Sequence, residues 1–232
     1  MKTLNILVCF FILVCGSLPQ ISFGSEVIYN IGAHKFSVPQ KNIPDLSPWS
    51  WVKSVVGLDQ DVDSFIFEFS GDEIKLHIGA YTPTRNSLDQ KVIGAVYHVS
   101  QDEKNRFDAP EKYSNLWYAT KNYGSREVLF DENSGYYFVF EKTGYRGLFY
   151  VFSRPPEGEL PASIDDFFVA GCSGSSTTEL RHVSCSKQIF IADDLVVDFS
   201  VSLENLVSLV NVVSFLRATF TEWRVSQLGA KA

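Results

Sequence analysis

The chain has 232 residues, 45% of them hydrophobic, and its 27 acidic side chains outnumber 20 basic ones for a net charge of −7. That balance disfavours nucleic acid and anionic membrane surfaces as partners, since both reward clustered Lys and Arg, and it favours a basic partner. The length suffices for one large domain or two small ones with a buried core.

Met1-Lys2-Thr3 supplies a short positive segment, and residues 4–15 are apolar apart from Asn5. Gly16, Ser17 and Pro19 break that run, and Ser22-Phe23-Gly24 offers small residues where a signal peptidase reads. The expectation is a signal peptide over residues 1–24, leaving a periplasmic or secreted chain. A membrane anchor is disfavoured because about a dozen apolar residues fall short of the roughly 20 that span a bilayer. Lipid attachment at Cys9 or Cys15 would want a small residue before the cysteine, where Val8 and Val14 stand. Cleavage removes Lys2 and no acidic residue, so the charge of −7 becomes −8. The cysteines that remain, Cys172 and Cys185, form an even pair in an oxidising compartment, and a disulfide around their polar intervening turn is expected.

Residues 26–30 and 34–38 are the first expected strands. Phe65, Phe67 and Phe69 then alternate with Ile66 and Glu68, and after Ser70-Gly71-Asp72-Glu73 the residues Ile74, Leu76 and Ile78 alternate with Lys75 and His77. This period of two predicts a hairpin. Further strands are expected at 92–99, 115–119, 127–130, 136–141 and 147–152, with a second hairpin turning at Lys142-Thr143-Gly144-Tyr145. Residues 154–161, with Pro155, Pro156 and Pro161, cannot serve a ladder. They read as a long loop within one domain over 25–232, a subdomain boundary being the alternative. Strands follow at 166–171, 180–185, 188–192 and 195–201.

The last segment changes period. Leu206, Leu209, Val210, Val213, Leu216, Phe220 and Trp223 recur at three and four, with Ser202 placed to cap the start and Ser208 and Asn211 on the other side. This predicts an amphipathic helix of about 20 residues laid on the sheet. The fold class is therefore α+β, an antiparallel β-rich sheet system carrying a long C-terminal helix.

Four constellations approach known chemistry. Asp59-Gln60-Asp61-Val62-Asp63 has the alternating carboxylates of a calcium loop, but Ser64 stands where the turn wants Gly and Ser70 where a bidentate Glu belongs, so a solvated turn is expected. Gly171-Cys172-Ser173-Gly174-Ser175 approaches a nucleophile elbow but ends on Ser175 instead of Gly. Cys172 with His182 imitates a thiol–imidazole pair, yet Cys185 is the simpler partner for that sulfur. His34, His77, His98 and His182 stand at no metal-ligand spacing, and His77 and His98 are expected on strands, facing solvent or an edge. No catalytic, metal or cofactor site is predicted. Trp49, Trp51, Trp117, Tyr118 and Tyr136 are the candidate interface residues, because Trp and Tyr bury much area at little entropic cost.

The opening Tyr29-Asn30-Ile31-Gly32-Ala33-His34-Lys35-Phe36-Ser37-Val38-Pro39, and the closing strand at 195–201 running into a long helix, resemble a group of exported bacterial proteins. Some of these are similar to periplasmic immunity proteins, which bind and block a toxin delivered by a rival cell. Export, acidity, aromatic content and the lack of catalytic motifs lead to the expectation of a non-enzymatic periplasmic binding protein with a protein partner, toxin neutralisation being its most concrete version, and without nucleic acid or membrane insertion of the mature chain. The alternatives are a hydrolase whose site gathers residues from distant strands, and an envelope structural or assembly protein.

Overall fold

In the computed structural model the described residues are 26–44, 60–107, 109–118, 126–141, 147–156, 167–174 and 183–225. The expected signal peptide, Trp49, Trp51, Asp59, the turn at 142–145, most of 154–161, and His182 lie outside them. Alternating apolar residues build an eight-stranded antiparallel sheet: β4 (Ser64–Phe69), β7 (Val92–His98), β13 (Leu195–Ser202), β12 (Ser184–Ala192), β11 (Phe168–Ser173), β10 (Leu148–Phe152), β9 (Tyr136–Glu141) and β8 (Arg126–Asp131), in that spatial order. A hairpin of β1 (Glu26–Ile31) and β2 (His34–Pro39), with β3 (Gln60–Asp61) parallel to β1, forms a small second sheet. β5 (Thr84–Arg85) and β6 (Leu88–Asp89) make a short ribbon.

The expected hairpin after Phe69 is instead a strand followed by helix α1 (Gly71–His77). The Ser70 hydroxyl accepts from the Glu73 backbone N–H at 3.2 Å, the first half of a capping box, and Asp72 and Glu73 lie in the first turn. Ile74 and Ile78 are buried while Leu76 is 86% exposed, so the operative spacing is four rather than two. Ser100 and Glu103 complete a full capping box for α2 (Gln101–Phe107), a helix with no counterpart among the expected elements. The expected strand at 115–119 is the end of helix α3 (Pro110–Tyr118), which turns Tyr113, Leu116 and Trp117 to one side. The expected strands at 180–185 and 188–192 are one strand as far as they are described, β12, crossing Ser186 and Lys187 without a break.

The C-terminal segment starts as a 3-10 helix, Leu203–Ser208, and continues as α4 (Leu209–Trp223). Its tighter opening sets a three-residue spacing of Leu206, Leu209 and Val212, so Val212 is fully buried and Val210 is 69% exposed. Ser208, expected outside, is buried for the same reason. Ser202 does not cap the helix; its hydroxyl accepts from the Asn205 amide at 3.0 Å. By length and apolarity Leu203–Trp223 could also cross a membrane, but here its apolar stripe lies on the sheet.

Two cores result, one on each side of the sheet. On the first, Phe220 lies 5.0 Å from the Phe67 ring and meets Phe36 and Phe65, while Trp223 stacks on Phe69 at 5.5 Å. Gly94 sits in the ladder between Phe67 and Phe199, and a Cβ there would come within 2.7 Å of the Phe67 ring and 2.3 Å of the Asp198 carbonyl. On the second, α3 covers β9 to β11 with Tyr113 and Leu116 against Phe152 and Phe168. Cys172 and Cys185 are direct partners across β11 and β12 and are disulfide-bonded in the core.

Two outcomes follow from this packing. Val212→Asp buries an unpaired carboxylate and prevents stable folding, whereas Val210→Asp shifts the urea midpoint by no more than about 0.5 kcal/mol equivalent. Replacing both Cys172 and Cys185 by Ser lowers stability by roughly 2–5 kcal/mol, and in the parent neither thiol labels without prior reduction.

Candidate protein-docking surface

The 3-10 segment and α4 cross the first face of the sheet from β12 and β13 toward β4, leaving the same face of β8 and β9 beside the helix start only partly covered, while Phe149 and Val151 of β10 are buried there. A groove of about 550 Å³ lies there, floored by Phe138, Phe140 and Phe149, with Leu129 on one side and Leu203, Leu206 and Val207 on the other. Leu129 is 50%, Phe130 53%, Val207 57% and Val210 69% exposed. Large apolar side chains grouped in this way on a water-facing surface mark interaction sites.

Two carboxylates join the lining, Asp131 and Glu204. The Asp131 carboxylate accepts from the Ser134 hydroxyl at 2.6 Å and from the Ser134 and Asn133 backbone, which hold its carboxyl below the usual range and keep it charged. Glu204 pairs through Oε2 with Arg85 at 2.9 Å, while its buried Oε1 has no hydrogen-bond partner among the described residues. The groove is thus apolar with a negative margin, and it suits an apolar side chain flanked by cations.

The aromatic residues singled out from the sequence are not gathered there. Trp117 is half-buried in the second core, edge-on to Tyr137 at 5.5 Å and Phe152 at 5.1 Å. Tyr118 is 50% exposed, and its hydroxyl donates to the Pro156 carbonyl at 3.1 Å. Tyr136 pairs with Asp131 across β8 and β9 and packs on the first core, so it alone of the described candidates adjoins the groove. The exposed residues that sequence reasoning missed are Leu129, Phe130, Val207 and Val210. Their signal was present in β8, where Val128-Leu129-Phe130 interrupts the alternation that a half-buried strand keeps.

A polar cluster elsewhere joins Arg224, His34, Asp194 and His98. Arg224 donates to His34 Nδ1 at 2.5 Å, so the His34 Nε2–H donates to Asp194 Oδ1 at 2.7 Å, and His98 Nε2 stands 3.6 Å from Asp194 Oδ2. Burial pushes the Asp194 carboxyl up, but hydrogen bonds from His34 and from the backbone outweigh it and hold the carboxyl below its ordinary value. With both ring nitrogens committed, His34 is a clasp joining β2, the β12–β13 turn and the end of α4. His77, expected on a strand, ends α1 with its ring 4.9 Å from Phe215. On the second face, a 270 Å³ hollow is lined by Tyr113, Tyr150, Gly171, Gln188 and Asp198, and the Gln188 amide donates to Asp198 at 2.9 Å and to the Tyr97 hydroxyl at 3.3 Å. Burial, with Asp198 and Glu103 nearby, pushes the Tyr97 phenol up to about 12.

No protein-family model and no curated protein matches this sequence. Among solved structures, Smlt3025, an immunity protein of the Stenotrophomonas maltophilia type IV secretion system, is similar with a TM-score of 0.49 and 11% identity, over 88% of this chain and 94% of that one. A likeness at that level carries neither fold nor activity across.

Because the Asp194 carboxyl is depressed in the folded chain, its contribution to stability is present above its ordinary value of 3.8 and is lost as pH falls through the folded value. Asp194→Asn therefore lowers the urea midpoint at pH 6–7, and the difference from the parent shrinks below about pH 4.

Proposed function

We propose that this chain is an exported, non-enzymatic binding protein of the immunity type, which neutralises a basic toxin-like protein by docking it on the groove beside β8. The observation that carries this reading is the apolar groove with its acidic margin, formed by Leu129, Phe138, Val207, Asp131 and Glu204. The acidic balance of the chain favours the same partner charge. The signal-like residues 1–24, the bridge between Cys172 and Cys185, and the resemblance of the opening and closing segments to exported immunity-like proteins support export and this role.

Pull-down from envelope extracts, or co-expression with a toxin encoded next to this gene, gives a stoichiometric complex whose association slows as salt rises. Leu129→Asp or Val207→Asp leaves the fold intact and weakens the complex by at least about 30-fold, while Tyr118→Ala on the other face leaves affinity unchanged. Cells lacking the gene succumb to siblings that carry the toxin. Unchanged survival, together with turnover of a small substrate by the purified chain, would contradict the proposal.

A further inference from the structure

We infer that β8 is a docking edge that takes an added β-strand from the partner, an extended segment with the pattern basic, apolar, apolar, apolar, basic. This rests on the docking function proposed above and specifies the chemistry of the partner. β8 ends the eight-strand order and pairs only with β9, and among the described residues no backbone bond reaches the outer side of Glu127 to Phe130. Such an edge presents alternate N–H and C=O groups to any strand that can reach it, and proteins blunt it with charged side chains, above all Lys, with Pro or with a bulge. Arg126–Asp131 holds no Lys, Pro or bulge and stays in unbroken register with β9 over six residues; its charges, Arg126, Glu127 and Asp131, flank the apolar stretch Val128 to Phe130 and restrict the edge to a partner of matching charge. The opposite edge is protected, since the Asn42 amide donates to the Glu68 carbonyl of β4 at 3.0 Å.

The register defines what the added strand must carry. Glu127, Leu129 and Asp131 lie opposite Phe140, Phe138 and Tyr136, so they share the groove side of the sheet. Val128 and Phe130 face the other way, where Phe130 lies 4.8 Å from the Tyr137 ring. A strand laid along β8 therefore meets acid, apolar, acid on the groove side and two apolar side chains on the other. Opposite charges across a pair stabilise it and like charges oppose it, which selects Lys or Arg at the two ends of the segment. A second copy of this chain is a poor occupant: paired antiparallel about Leu129, Glu127 of each copy would face Asp131 of the other. Main-chain bonds would supply affinity and the alternate side chains specificity, as in other strand-addition complexes.

The test uses the mature chain labelled with nitrogen-15 and two blocked peptides, Thr-Lys-Val-Leu-Val-Lys-Thr and the same peptide with Glu for both Lys. At about 1 mM, in the range where short peptides bind, the Lys peptide slows exchange of the outward amides of β8 at least tenfold and the Glu peptide does not. Glu127→Lys, at a side chain with no hydrogen bond among the described residues, weakens the Lys peptide at least threefold. Equal effects of the two peptides, binding without protection of β8, no binding, or a stable dimer of the chain through β8 would each overturn the inference. If the peptide fails while the envelope complex still forms and still responds to Leu129→Asp, strand addition falls and the docking function stands. If that complex is also absent, both fall.

Discussion

An eight-stranded sheet offers more apolar surface than one helix can cover. At about 4.8 Å per strand the sheet is over 30 Å wide, whereas a helix with its side chains is about 10 Å across. The C-terminal helix spends its stripe over β4, β7, β13 and β12, where Phe220 and Trp223 close on Phe36, Phe67 and Phe69. On the opposite face α3 covers β9 to β11. β10 is buried on both sides, β9 is buried on the α3 side and half-exposed on the other, and β8 has half-exposed side chains on both. The groove is what remains of that mismatch, and its apolar floor is paid for only if something else covers it.

The position of the helix is held by polar contacts as well as by rings. Buried Asn205 donates its amide to the Thr82 carbonyl at 3.0 Å and accepts from the Thr82 N–H at 2.7 Å, pinning the 3-10 segment to the loop after α1. Arg224, His34 and Asp194 hold the far end, where Val225 N–H also donates to the Lys35 carbonyl. Fixed at both ends, the segment presents Val207 at a set position across the groove from Leu129. The groove wall is therefore built into the fold rather than made by loop motion, which lowers the ordering cost of binding there.

How much of this was legible follows from the reach of each signal. The strands with clean alternation, Phe65 to Phe69 and Leu195 to Val201, and the disulfide pair could be read directly, because period and cysteine count are local quantities. Helix α1 was misread since Ile74, Leu76 and Ile78 fit a period of two as well as Ile74 and Ile78 fit four; the capping signal Ser70 with Glu73 was the feature that decided it. Val210 was taken for a core residue because the 3-10 opening shifts the phase of the stripe, which a fixed period of 3.6 does not anticipate. The His34 clasp joins residues 160 and 190 positions apart and leaves no trace in spacing. The candidate surface was sought among aromatics, but Trp117 serves a core, and the exposed patch is aliphatic and lies where an edge strand meets a helix start.

The half-exposed side of β8 and β9 is the face proposed to meet a partner. Site-specific photo-crosslinking in intact cells tests this most directly, with the reactive side chain placed in turn at Leu129, Val207, Tyr118 and Ile66, all of them exposed. Discrete adducts of one partner at Leu129 and Val207, and none at Tyr118 or Ile66, are the expected result. Adducts at Tyr118 or Ile66 with Leu129 and Val207 silent would contradict it.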